Sequence, residues 1–208
     1  MPSDFDAYFN APSKQKRSQE RVEQILDSIE KIADEDPNWD LDIRSISKAA
    51  KVSTGALYYH FPSIANLFAS IFIRRVKRTH SKMITLINQL GPAVTLEELS
   101  NVLVDNTFIV WGRVNPSVRR IAINFFYRNA KQPELLYSFI EPLIPHLKAF
   151  AERNTTNTLR DIPEEEWPLL LRTMQTAVSS PFIEQLAIAG SDAHRRFAKD
   201  SFRRLLAK

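Results

Sequence analysis

The stretch Ile43-Arg44-Ser45-Ile46-Ser47-Lys48-Ala49-Ala50-Lys51-Val52-Ser53-Thr54-Gly55-Ala56-Leu57-Tyr58-Tyr59-His60-Phe61 holds two helical periods separated by a three-residue interruption. Ile43, Ile46, Ala49 and Ala50 recur at intervals of three and four, which marks one buried face of a short helix. Lys51-Val52-Ser53 breaks that period: Val52 plugs the turn, and Ser53 is placed to cap a second helix running from Thr54 to about Tyr59. Leu57 and Phe61 fall on its core side, while Ala49 and Ala50 let the two helices cross closely. Neither helix is long enough to persist alone, because isolated helices below roughly 12 to 15 residues are marginal in water. The pair therefore has to be embedded in a bundle.

The flanking sequence supplies that bundle. Upstream, Val22, Ile25, Leu26, Ile29 and Ala33 trace the inner face of a first helix that starts near Ser13 or Lys16 and ends at Asp34-Glu35-Asp36-Pro37. Downstream, Ser63 is a natural N-cap for a long fourth helix carrying Leu67, Phe68, Ile71, Phe72 and Met83, which ends near Gly91-Pro92. Thr95 followed by Glu98 reads as a capping box for a fifth helix through Trp111, and Asn115-Pro116 opens a sixth. A seventh starts at Pro133 and is kinked or split by Pro142 and Pro145. Two more are expected from about Pro163 to Ala189 and from Asp192 to Leu206, joined through Gly190-Ser191. With only four glycines and no alternating β-branched runs, the chain is predicted to be all-α with about nine helices. We divide it into a flexible segment 1–14, a three-helix helix-turn-helix domain 15–76 and a larger helical domain 77–208.

Composition narrows the function classes. The chain has no cysteine, which excludes disulfides, thiolate metal sites and thiol nucleophiles. The first ten residues lack the basic start and apolar run of a signal peptide, and no segment approaches the roughly 20 apolar residues of a membrane span. A cytoplasmic protein without a membrane partner is expected. Its four histidines, His60, His80, His146 and His194, are scattered without metal-ligand spacing, and no phosphate-cradling glycine loop occurs. Neither cofactor nor metal is expected, and no nucleophile and base can be paired, so an enzyme is not the reading. A formal charge of +4 suits a polyanionic partner.

The outward face of the two short helices is specific. Arg44, Ser45, Lys48, Ser53, Thr54, Gly55, Tyr58, Tyr59 and His60 combine cationic, hydroxyl and aromatic groups suited to phosphates and base edges. In a helix-turn-helix the first helix crosses the DNA backbone and the N-terminal residues of the second enter the major groove. Thr54 and Gly55 would sit deepest, glycine permitting close approach despite a helix cost of about 1 kcal/mol. Ile46, Ala49 and Ala50, with Val52-Ser53, Gly55, Leu57-Tyr58 and His60-Phe61, resemble the signature of the TetR family of bacterial regulators over roughly residues 17–72. The resemblance implies that Arg44 and Thr54 reach base edges, that Tyr58 meets a base or nearby phosphate, and that Ser45, Tyr59 and His60 hold the backbone. Two positions depart from the family: Lys51 stands where glycine is usual in the turn, and Ile64 replaces a lysine that often contacts phosphate. The basic residues of the first helix, Lys14, Lys16, Arg17 and Arg21, are a solvated face from which one or two reach phosphate.

In the larger domain the aromatics are spaced as core. A cavity lined by Trp111, Phe126 and Phe139, with Arg113, Arg128 or His146 as polar anchors, is the candidate site for a small-molecule effector. The last helix is apolar on more than one face, and Phe197, Ser201, Phe202 and Leu205, with Leu169, Leu170, Thr173 and Ala177, resemble the family's four-helix dimer interface. The sequence thus predicts a homodimeric regulator that binds double-stranded operator DNA and answers to an effector. The rival is a helical adaptor for protein partners, which explains the amphipathic helices but not the outward face of the Arg44–Phe61 segment.

Overall fold

The computed structural model describes residues 16–36, 39, 42–129 and 140–208. Among them are nine α-helices and no strand: α1 (Lys16–Glu35), α2 (Ile43–Ala50), α3 (Thr54–His60), α4 (Ile64–Gln89), α5 (Leu96–Arg113), α6 (Pro116–Asn129), α7 (Ile144–Arg153), α8 (Trp167–Glu184) and α9 (Asp192–Leu206). They form two compact units. One takes the described residues up to Arg74 together with Val114–Asn129, and the other takes Arg75–Arg113 and the residues from Ile140 onward.

The first unit is built around Ile25, Leu26, Ile29 and Ala33 of α1, Ile46 and Ala50 of α2, Leu57 and Phe61 from the α3 segment, and Leu67, Phe68 and Ile71 of α4. Burying each larger side chain contributes about 1.5–3 kcal/mol, which is what holds two helices of eight and seven residues in place. Val114 and Val118 join this same core, so α6 packs with the N-terminal helices rather than with the domain in which the sequence division at 76/77 leaves it. A helical period reveals a buried face, but not which core that face enters.

The helix starts follow local chemistry. Ser63 Oγ accepts from Asn66 N at 3.2 Å. Thr95 and Glu98 close a full capping box: Thr95 N donates to Glu98 Oε2 at 2.8 Å and Glu98 N to Thr95 Oγ1 at 3.2 Å. Asn115 Oδ1 accepts from Ser117 N and Val118 N at the start of α6.

In the second unit α5, α8 and α9 pack on one another. Pro142 lies in a 3-10 turn, Glu141–Leu143, and Pro145 in the opening turn of α7, so neither proline kinks a helix interior. The Pro133 start lies outside the described residues. α8 begins at Trp167 after a 3-10 turn and ends at Glu184, five residues before the expected Ala189, with Gln185 capping it at φ 57°. Pro181 inside α8 has no N–H to offer the carbonyl of Ala177, four residues back. His194, 1% exposed on α9, supplies the missing donor: its Nε2 lies 3.0 Å from Ala177 O, while its Nδ1 accepts from Gly190 N at 3.2 Å. These partners fix the Nε2–H tautomer. The ring packs between Phe108 and Phe182, at centroid distances of 4.6 and 5.3 Å.

Candidate DNA-binding site

The α2–α3 pair is fastened at each end by side-chain caps. Asp42 Oδ1 accepts from Arg44 N at 2.6 Å and Ser45 N at 3.0 Å, and Ser53 Oγ accepts from Ala56 N at 3.2 Å. Between them Lys51 adopts the left-handed conformation, φ 53° and ψ 44°, which a side chain makes costlier by about 1–2 kcal/mol. That geometry lets Lys51 N and Val52 N close the end of α2 on the carbonyls of Lys48 and Ser47. The Lys51 carbonyl in turn faces Arg21 Nη2 of α1 at 3.5 Å. One further link crosses the turn: the hydroxyls of Ser47 and Thr54 lie 3.3 Å apart, tying the start of α3 to the side of α2.

The nine residues expected to meet DNA sort clearly by exposure. Arg44, Lys48, Ser53, Thr54, Gly55, Tyr58 and Tyr59 are exposed, and Ser45 and His60 are half-buried. Two tyrosines at 47% and 70% exposure on so short a helix are more apolar surface than its packing requires. Gly55 has ordinary helical φ, and a Cβ there would meet only Ser53 Oγ at 4.0 Å. The protein's own packing therefore does not call for glycine, and the empty volume faces outward. Arg21 adds a fourth exposed cation beside Arg44, Lys48 and Lys51, while the side chains of Lys16 and Arg17 lie outside the described residues. Sequence reasoning missed the Asp42 cap and the Ser47–Thr54 link. An aspartate immediately before Ile43 was the available signal for the first.

Burial, and secondarily the Arg21 charge, lower the pKa of His60 below the usual imidazole range. Because the folded state holds this proton less readily than the unfolded chain, the associated stability is present above the unfolded pKa and is lost as pH falls through the folded one. Between about pH 7 and 5, wild type is expected to lose more stability than His60→Gln in parallel denaturant titrations. Equal losses would show that this imidazole is not perturbed.

A model of bacterial regulatory proteins of the tetR family matches residues 26–71, from the middle of α1 into α4. Over this segment the chain is similar to regulators of that family. Comparison with curated proteins finds no match. Among solved structures, a tetR-family chain from Mesorhizobium loti is similar with a TM-score of 0.58 at 15% identity, covering 92% of this chain and 97% of that one. A tetR-family regulator from Marinobacter aquaeolei gives 0.51 at 15% identity, covering 93% and 98%. At these identities the likeness speaks to the fold alone, and it extends along nearly the whole chain. The match over residues 26–71 supports a DNA-binding transcription regulator.

The remaining predicted residues fall differently. Of the six assigned to the effector site, Trp111 is buried and stacks on Phe182 at 6.2 Å, and Arg128 is exposed. His146 is half-buried, its Nδ1 3.0 Å from Asn88 Oδ1. The side chains of Arg113 and Phe126, and the whole of Phe139, lie outside the described residues. A cavity of about 40 Å³ does occur in the second unit, lined by Met83, Leu103, Thr107, Met174, Gln175 and Phe202 among others, and of the described residues Trp111, Arg128 and His146 none lines it. Of the eight dimer residues, Leu170 and Phe202 are buried within the unit at 6% exposure, since the inner stripe of α9 is His194, Ala198, Phe202 and Leu206. Leu169 and Phe197 are 62% and 61% exposed, with Thr173 exposed and Ala177, Ser201 and Leu205 half-buried. No single helix among the described residues is long and apolar enough to cross a membrane.

Proposed function

We propose that this protein is a cytoplasmic homodimeric repressor that holds a near-palindromic operator and is released by a small-molecule effector. The observation that carries the reading is the outward face of α3, where Thr54, Gly55, Tyr58 and Tyr59 present hydroxyls, rings and a close-approach glycine that the fold itself does not need. Two such helices in successive major grooves, about 34–36 Å apart, require a two-fold dimer. Leu169 and Phe197, both large, apolar and exposed, support α8 and α9 as its self-complementary face. The effector enters the apolar cavity beside Met83 and Met174. At about 40 Å³ that cavity is far below the several hundred Å³ of a typical ligand pocket, so binding has to displace the two flexible methionines. An effector coupled in this way shifts the dimer between two arrangements by no more than its differential affinity for them. The protein acts by binding, not by chemistry.

The test is selection of bound duplexes from a random-sequence library at moderate salt, in parallel with an Arg44→Ala, Tyr58→Ala double variant. An enriched inverted repeat that the variant fails to enrich is the expected result. Weak binding without sequence preference, equal in both proteins, would favour the adaptor reading in place of this one.

A further inference from the structure

The side chains that α2 and α3 present are restricted in kind as well as in place. Neither helix, nor the turn between them, contains asparagine, glutamine, aspartate or glutamate. Asp42, the carboxylate immediately before α2, is engaged by two backbone N–H groups as the α2 cap. In the major groove, adenine is read by an amide that accepts from the N6 amino group and donates to N7, and cytosine by an acceptor for its N4 amino group. This surface has no amide for the first and no uncommitted carboxylate for the second, its hydroxyls being single-atom partners that fit either edge without discriminating. What it does offer are cations that only donate, at Arg44 and Lys48, and small or apolar groups at the start of α3: the Thr54 methyl, Gly55 and the ring of Tyr58.

Position assigns these groups to partners. Ser47 touches Thr54, and Arg44 lies one turn before Ser47, on the same side of α2 and beside the start of α3. A guanidinium there is placed for the paired acceptors O6 and N7 of guanine, the pattern a fork of donors fits best. Thr54 and Gly55, at the N-terminus of α3, are placed for the thymine C5-methyl, which needs contact and no hydrogen bond. We infer that each operator half-site is read through guanine N7/O6 by Arg44 and through thymine methyl groups by Thr54 and Gly55. The inference rests on the operator-binding reading above and specifies which base atoms carry it.

The experiment uses the full-length protein and duplexes of the sequence enriched from the random library. Each guanine is replaced singly by 7-deazaguanine, which lacks the N7 acceptor, and each thymine by deoxyuridine, which lacks only the methyl. At least one 7-deazaguanine position per half-site is expected to lower affinity about tenfold for wild type, with little further loss in Arg44→Ala. At least one deoxyuridine position is expected to lower it a few-fold, with the effect absent in Thr54→Ser, which keeps the hydroxyl near Ser47 and removes the methyl. An enriched sequence indifferent to both analogues overturns this inference and leaves the operator reading standing, as does one whose sensitivity persists unchanged in Arg44→Ala and Thr54→Ser. If nothing is enriched, the operator reading falls and this inference falls with it.

Discussion

Gly55→Leu is expected to fold as well as the wild type and to lose operator recognition. Glycine in a helix costs about 1 kcal/mol relative to good helix formers, so the substitution should leave stability unchanged or raise it by up to that amount. Gly55 is exposed, and a Cβ there meets only Ser53 Oγ, at 4.0 Å, so the protein leaves the root of a larger side chain unopposed. The new side chain projects instead into the space where the groove floor has to come. Holding α3 away from the bases removes several contacts together, and specific affinity should collapse toward the non-specific level, a fall of about a thousandfold or more. Thermal unfolding and operator titration on the same preparation check both halves. A Gly55→Leu protein that binds its operator like the wild type would mean that α3 is not the element approaching the bases.

How much of this was legible in the sequence follows from the range of each interaction. Caps are local, so Ser53, Ser63, the Thr95–Glu98 box and Ser191 all stand where their residue types place them. The outward set on α3 was legible for the same reason, a heptapeptide with its core positions taken by Leu57 leaving few ways to face. The end of α8 was not. Leu186 and Ile188 continue a helix-compatible apolar pattern, yet they find no core and stand 46% and 44% exposed beyond Gln185. The same gap separates Pro181 from its remedy: the proline announces an unsatisfied carbonyl at Ala177, but nothing local says that His194, seventeen residues away, supplies the hydrogen bond. The cavity beside Met83 and Met174 was not legible either, because the residues lining it include leucine, threonine, methionine and glutamine on α5 and α8, residues whose periodicity marks only ordinary core.

Arg74 makes the same point with the largest consequence for stability. For the run Arg74-Arg75-Val76-Lys77-Arg78 the sequence suggests a structural or interdomain role, and the structure gives Arg74 a structural one. Arg74 Nη1 lies 2.8 Å from Glu23 Oε2 and 2.9 Å from Asp27 Oδ1, and Nη2 pairs with Glu30 Oε2. Glu23, Asp27 and Glu30 are spaced i, i+4 and i+7, so one guanidinium on α4 closes three carboxylates along one face of α1. These pairs are not equal. Glu23 and Asp27 are 60% and 63% exposed, and such pairs contribute at most about 1 kcal/mol. Arg74 and Glu30 are 12% and 11% exposed, where removing one partner strands a desolvated charge. Arg74→Ala is therefore expected to destabilise the protein by about 3 kcal/mol. Glu23→Gln and Asp27→Asn should each cost less than about 1 kcal/mol. The decisive comparison is Arg74→Leu combined with Glu30→Leu, which removes both charges and leaves nothing stranded. If the cost of Arg74→Ala comes from the orphaned Glu30 carboxylate, the double variant should recover most of the lost stability in denaturant titrations. A double variant as unstable as Arg74→Ala would place the cost in lost packing of the arginine stem, and α1 would then be held to α4 by its apolar face alone.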